Sequence, residues 1–195
     1  LKRVLESQRS KLRSDAGLTY KDFWGSYERT LKGVIMDGYP KSLIAYGTGG
    51  LGKTYTLDKV MEANQVRVYD QEINPSSDQY DAVVIKGGTG IRDMWTIICK
   101  NRDKLIVFDD CDSMWDPSQE SAQNILKGML DTTGDGSVRY GQAGKDEDGI
   151  QLPKQIKFTG QVIFVSNLKR EAFPQPLISS RCGAIDLTMS KDETL

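Results

Sequence analysis

Gly47-Thr48-Gly49-Gly50-Leu51-Gly52-Lys53-Thr54 follows the apolar run Leu43-Ile44-Ala45-Tyr46 and opens a helix-favouring stretch over 53–64. The octapeptide has the spacing G-x-x-x-x-G-K-[ST]. Chance produces that spacing in roughly one chain of this length in a hundred, but chance does not also supply the preceding strand and the following helix. Glycines admit φ > 0 and let consecutive N–H groups converge on one anion. A helix starting near Lys53 aims the positive end of its dipole at the same point. The plainer alternative is a glycine-rich turn carrying an exposed lysine, and the strand–loop–helix context argues against it. The loop therefore fits a nucleoside triphosphate such as ATP: Lys53 neutralises its β- and γ-phosphates and the Thr54 hydroxyl ligates Mg²⁺.

A phosphate loop needs an acid to hold the metal and a group to activate water. Lys104-Leu105-Ile106-Val107-Phe108-Asp109-Asp110 provides both, delivering two acids at the carboxyl end of an apolar strand, the edge at which open α/β sheets bind ligands. Asp109 is expected in the Mg²⁺ shell and Asp110 beside the attacking water. Gln161-Val162-Ile163-Phe164-Val165-Ser166-Asn167 is a second apolar strand ending in an amide. Should it lie between the other two strands, Asn167 reaches the γ-phosphate or the water; the alternative is a capping asparagine. In Pro176-Leu177-Ile178-Ser179-Ser180-Arg181-Cys182, Arg181 is a candidate for stabilising charge on a transferring phosphoryl group, contributed from a neighbouring subunit. Arg170 is its rival, and an isolated arginine is commonly a surface ion pair.

Around these motifs, β-branched runs at 42–47, 66–70, 82–87, 104–110, 161–167 and 184–189 read as strands, and 53–64, 91–101 and 119–131 as helices. Apolar strands alternating with helices imply parallel βαβ units buried on both faces. Upstream, 1–14 reads as a basic helix or arm. A second helix is expected over 19–37, capped by Thr19, with Phe23, Tyr27, Leu31, Val34 and Ile35 on its apolar face and Gly38 and Pro40 ending it. The polar stretch 134–149 reads as a flexible insertion.

The 195 residues suffice for one sizeable domain, and 38% hydrophobic with 27% charged residues suits a globular chain. A net charge of −1 predicts no polyanionic partner globally, though a local basic patch remains open. The chain has no histidine, which excludes Ser-His-Asp hydrolysis and His-ligated zinc. Cys99, Cys111 and Cys182 form no C-x-x-C pair and read as reduced thiols. No apolar run approaches eighteen residues and no signal peptide is apparent. No membrane association is expected, and a cytoplasmic location is, in the host cytoplasm if the chain is viral.

Taken together, GTGGLGKT, LIVFDD, VIFVSN and SRC resemble the Walker A, Walker B, sensor 1 and arginine-finger motifs of AAA+ ATPases, with SRC of the clamp-loader type. The pattern from KGGTG through KLIVFDDCDSMW and NILKGMLD to VIFVSN is similar to uncharacterised AAA+ ATPases of tailed bacteriophages. The resemblance runs from Ser42 to about Met189. It implies an α/β P-loop NTPase fold, a three-layer αβα sandwich whose five-stranded parallel sheet runs 5-1-4-3-2. It further implies a homo-oligomeric, usually hexameric, ring in which Arg181 completes the neighbour's site. Residues 1–38 form a helical extension and 39–195 the ATPase core on this reading, with the helical lid absent or truncated. Asp110 departs from the family pattern, standing one methylene shorter than the usual Glu.

Two segments could face a ring's pore. One is Lys86-Gly87-Gly88-Thr89-Gly90. The other is a hairpin from 137–142 and 150–158 carrying Arg139, Lys145, Lys154 and Lys157. Contacts to DNA phosphates are expected from Lys86, Arg139, Lys154 and Lys157, since basic groups in a pore bind the backbone without reading sequence; the alternative is a solvated hairpin whose basic charge Asp135, Asp146, Glu147 and Asp148 dilute. KGGTG lacks the aromatic residue that polypeptide-threading relatives carry. The function expected is an ATP-hydrolysing oligomeric motor on DNA; the alternative is a nucleotide-gated assembly or loader protein that remodels a protein partner with slow turnover. A phosphate-loop kinase fits the acid pair poorly, and no N-K-x-D motif marks a GTPase.

Overall fold

In the computed structural model, which describes residues 20–69 and 79–188, the strands are set by runs of β-branched and aromatic side chains. In chain order the elements are α1 (Tyr20–Lys32), β1 (Ser42–Tyr46), α2 (Lys53–Ala63), β2 (Ala82–Lys86), α3 (Ile91–Lys100), β3 (Leu105–Asp109), α4 (Glu120–Leu130), β4 (Ser137–Arg139), β5 (Gln155–Lys157), β6 (Gln161–Val165) and β7 (Gly183–Asp186). Among the described residues, five strands form one parallel sheet in the order β2-β3-β6-β1-β7. β4 and β5 pair separately as an antiparallel hairpin. The label sequence differs from 5-1-4-3-2 because that hairpin interrupts the count. Counted alone, the sheet strands run 2-3-4-1-5, the same order read from the opposite edge.

Successive strand residues point to opposite faces, and each face has its own core. Ile44, Tyr46, Ile106, Phe108, Val162 and Phe164 pack with Met94, Trp95 and Ile98 of α3 and Ile125, Leu126 and Met129 of α4. Leu43, Ala45, Leu105, Val107, Ile163 and Val165 face Trp24, Tyr27 and Leu31 of α1 and Leu57 and Met61 of α2. Each fully buried large apolar side chain contributes about 1.5–3 kcal/mol, so two-sided burial explains why β1, β3 and β6 carry almost no polar residue. No helix among the described residues is long and apolar enough to cross a membrane.

Three expectations are adjusted. The stretch 66–70 is not a strand; Val68 makes one isolated parallel bridge to Ala82, and residue 70 lies outside the described residues. Gln65, with φ 56°, turns the chain just before it. Arg67 bonds Asp81 through backbone and side chain: the Asp81 and Ala82 N–H groups donate to its carbonyl, its N–H and Nε donate to Oδ2 at 3.0 Å each, and Nη2 donates to Oδ1 at 2.8 Å. The helix expected over 19–37 ends at Lys32 and continues as a wider turn, Gly33–Asp37, before Gly38. Residues 1–19, the Phe23 side chain and residues 189–195 lie outside those described.

The stretch 134–149 is no free insertion. It contributes β4, Asp146 bonds the Ile150 N–H, and Arg92 donates to the Lys145 carbonyl at 2.8 Å.

The Arg67 side-chain hydrogen bond is the main cause holding the Asp81 carboxyl down, from 3.8 to about 2. Because the folded value is depressed, the contribution to stability is present above about pH 4 and is lost as pH falls toward 2. Both side chains are about half exposed, so the pair is worth at most about 1 kcal/mol. Asp81→Asn is expected to flatten that part of the acid limb of a thermal-unfolding pH profile.

Candidate functional site

The carboxyl edge of the sheet gathers the ends of β1, β3 and β6 side by side, because β6 inserts between the other two. The loop after β1 turns back under β7: Gly47 has φ +136°, and a Cβ there would lie 2.5 Å from the Thr188 nitrogen. Lys53, in the first turn of α2, is only 5% exposed. Its ammonium donates to the Gly47 and Thr48 carbonyls at 3.0 and 2.7 Å and to Asn167 Oδ1 at 3.0 Å. Burial pulls its pKa below the ordinary lysine value, against the opposing charges of Asp112, Asp110 and Asp109. From behind, Tyr27 of α1 donates its hydroxyl to the Lys53 carbonyl at 3.3 Å.

Next to it, Thr54 Oγ1 donates to Asp109 Oδ1 at 2.8 Å, joining the first turn of α2 to the end of β3. Asp109 is buried. Asp110 follows with φ 54°, a left-handed conformation that costs a non-glycine residue about 1 kcal/mol or more. The turned backbone lets Asp110 Oδ1 accept from Asn167 Nδ2 at 3.0 Å. A single amide thus spans the lysine and the acid, its oxygen on one and its nitrogen on the other. The peptide after β2 closes against this turn. Gly87 N–H donates to the Asp109 carbonyl at 3.0 Å, and a Cβ at Gly87 would collide with the Asp110 carbonyl oxygen.

Lys53, Thr54, Asp109, Asp110 and Asn167 therefore meet as expected from the motifs, and Gly49 packs against Asn167. Gly50 and Gly52 adopt positive φ, and a Cβ on either would meet nothing within 4 Å. Arg181 is not part of this cluster. It ion-pairs with Asp131, at the end of α4, at 3.0 Å and is half exposed. Burial raises the Asp131 carboxyl, but Thr133 and Arg181 outweigh it and hold it below its usual value. Arg170, the rival, lies in the short turn Arg170–Ala172. Asp112, which the motif reading passed over, bonds Ser166 and Asn167; the acid two places after Asp110 was its visible signal.

The four cationic candidates do not share one surface. Lys86 ends β2 in register with Asp109, at the carboxyl edge. Arg139, Lys154 and Lys157 lie on the hairpin, exposed, with Val138 and Ile156 turned inward. Lys157 also lines a 760 Å³ cleft with Cys99, Lys100, Arg102, Asp103 and Thr159. Residues 102 and 159 precede β3 and β6, so this cleft opens at the amino edge, away from the phosphate loop.

A P-loop ATPase of the AAA type is the class that this fold and cluster define. The profile of the ATPase family associated with various cellular activities (AAA) matches residues 43–185, and the chain belongs to that family. Among individual relatives, the chain is similar to the uncharacterised 36.7 kDa protein of the nrdC–mobD intergenic region of Enterobacteria phage T4, with 29% identity over 139 residues. That alignment covers 69% of this chain and 38% of the phage protein, so the chain spans well under half of its relative's length. Two solved structures of Thermotoga maritima RuvB variants align over 87% and 89% of this chain and 45% and 47% of theirs, at 14% and 13% identity and TM-scores of 0.47 and 0.49.

Hydrogen bonds to a charged partner are worth about 1.5–3 kcal/mol, so Lys53→Ala is expected to weaken ATP binding by about tenfold to a hundredfold or more. Isothermal titration with ATP and Mg²⁺ measures this, and unchanged affinity would remove Lys53 from the site.

Proposed function

We propose that this chain binds ATP with Mg²⁺ and hydrolyses it to ADP and phosphate, as one subunit of a homo-oligomeric ring that acts on DNA. The observation that carries the reading is the Asn167 amide. It holds the cation for the phosphates and the acid for the water at a fixed separation, 3.0 Å from each. Three features fit a Mg²⁺-triphosphate. Lys53 has two acceptors on the loop side, the Gly47 and Thr48 carbonyls, that phosphate oxygens can replace. Thr54 and Asp109 form a ready oxygen pair. Open space lies over Gly50 and Gly52. Among the described residues no group of three or more acidic, Cys or His side chains could hold a metal. The ion's remaining ligands would be phosphate and water oxygens, as is usual for Mg²⁺.

In this reading the loop amides of Gly47 to Gly52 and the Lys53 ammonium bind and orient the β- and γ-phosphates. Thr54 and Asp109 hold the ion, which when bound neutralises phosphate charge. Asp110 accepts the proton of a water whose oxygen attacks the γ-phosphorus; the bond to the β–γ bridging oxygen breaks and ADP departs. Asn167 keeps Asp110 and Lys53 on the same γ-phosphoryl group. Arg181, which faces away from its own site, serves a neighbouring subunit after leaving Asp131. Residues 39–195 constitute the catalytic core and 1–38 the extension, whose α1 buttresses Lys53 through Tyr27.

DNA is the polyanion favoured by the exposed hairpin face, where Arg139 and Lys157 lead into the cleft holding Lys100 and Arg102. Such a face contacts phosphates irrespective of sequence. Asp103 in the same cleft, and Asp135 near Lys157, offset part of its charge. A second reading, a nucleotide-gated loader with slow hydrolysis, is favoured by one observation: Asp110 is one methylene shorter than the Glu of the family pattern.

Turnover measured with and without DNA, across protein concentration and salt, separates the two. Stimulation by DNA with salt-sensitive binding supports the motor; tight ATP binding and nucleotide-dependent assembly with negligible turnover selects the loader. Asp110→Asn is expected to retain ATP binding and lower kcat by about 10²–10⁴-fold, the range for a lost general base. Arg181→Ala is expected to abolish turnover, spare binding by single subunits and poison mixed assemblies; full activity in that variant would exclude Arg181 as the finger.

A further inference from the structure

The position of Asn167 is not supplied by the sheet. On the β3 side the register ends at Asp109 opposite Val165. On the β1 side the Ser166 N–H reaches the Ala45 carbonyl. The Asn167 side chain is exposed, so packing does not fix it either. Its N–H is instead taken by Asp112 Oδ2 at 3.0 Å, while Asp112 Oδ1 accepts the Ser166 hydroxyl at 2.6 Å. Ser166, 1% exposed, accepts in turn from the Leu168 N–H at 3.0 Å. Both oxygens of one carboxylate thus hold the chain just where ladder pairing stops.

Asp112 is itself firmly seated. It opens the short helical turn Asp112–Trp115, whose Met114 and Trp115 are buried. The Trp115 ring packs edge-on against Phe164 and Phe173, at centroid distances of 5.8 and 5.3 Å. Phe164 belongs to β6, the strand that delivers Asn167. The turn therefore grips that strand twice, through aromatic contact in the core and through a carboxylate at its tip.

We infer that Asp112 is a positioning residue of the site: it touches neither phosphate nor water, and it acts through Asn167 by fixing the backbone from which that amide reaches Lys53 and Asp110. The inference rests on the hydrolytic reading above. Displacement of a positioned group by about 1 Å can cost on the order of a hundredfold in rate, whereas the Gly47 and Thr48 carbonyls on Lys53 and the Thr54–Asp109 bond do not depend on Asp112.

The test compares wild type with Asp112→Ala, Asp112→Asn and Ser166→Ala. For Asp112→Ala, kcat for ATP is expected to fall by about tenfold to a hundredfold with KM within about twofold of wild type, the split expected when an interaction acts after binding. Asp112→Asn keeps one acceptor oxygen and should lie between wild type and Asp112→Ala, as should Ser166→Ala, which leaves the Asn167 bond intact. Hydrogen exchange in the nucleotide-free proteins reads the tie independently: protection at the Asn167 and Leu168 amides is expected to drop in Asp112→Ala while β1 and β3 stay protected. A purely structural role would show as global loss of protection in all three variants, with kcat per folded molecule unchanged, and would overturn the proposal. Wild-type kcat in a folded Asp112→Ala overturns it alone; absence of turnover in wild type overturns the hydrolytic reading beneath it.

Discussion

An ammonium withdrawn from water has to be surrounded by acceptors, because an unpaired buried charge costs several kcal/mol. Lys53 meets that requirement with two carbonyls of its own loop and one side-chain oxygen from a strand more than a hundred residues later. The loop carbonyls can turn toward the lysine because the glycines allow it. The distant oxygen is available because β6 lies next to β1. The strand order is thus a condition for holding this cation. The same order places β3 on the other side of β6, which brings Asp110 within reach of the same asparagine.

Much of this was legible before any coordinates. Lys53, Thr54, Asp109 and Asp110 sit in local patterns whose chemistry depends on a few consecutive residues, and apolar strands flanked by helices dictate parallel pairing. Asn167 required one further step, the placement of its strand between the others, which came from family resemblance. Asp112 was visible only as one more acid two places after Asp110, and its role was not legible. Its importance arises only where the chain after β6 outruns the ladder, and no periodicity reports that. Stretch 66–70 misled for the converse reason: its valines have strand propensity, but the chain turns at Gln65 just before it and its pairing with β2 amounts to the one bridge of Val68 to Ala82. Arg181 stands in its expected motif, but its side chain ion-pairs with Asp131 and its carbonyl accepts from Thr132, so the geometry of one chain does not bring it to the phosphate loop.

The N-terminal helix has a closer relation to the chemistry than the word extension implies. Its Tyr27 is fully buried and meets the first turn of α2 from the side opposite the loop. Burial, and then the nearby Asp109 charge, push its hydroxyl well above the ordinary tyrosine value, so it stays protonated and keeps donating to the lysine's carbonyl. Helix α1 is part of the wall behind the phosphate loop, and the second core closes around that contact.

Gly87 sets how closely the turn after β2 approaches the turn that carries the acids. Its amide is bonded to the residue that precedes Asp110, and its missing side chain leaves no slack between the two peptides. The segment Lys86-Gly87-Gly88-Thr89-Gly90 and the acid-bearing turn are consequently mated parts, like a tooth against a rack. Any side chain larger than hydrogen at position 87 would have to displace the turn that carries the Asp110 carboxylate.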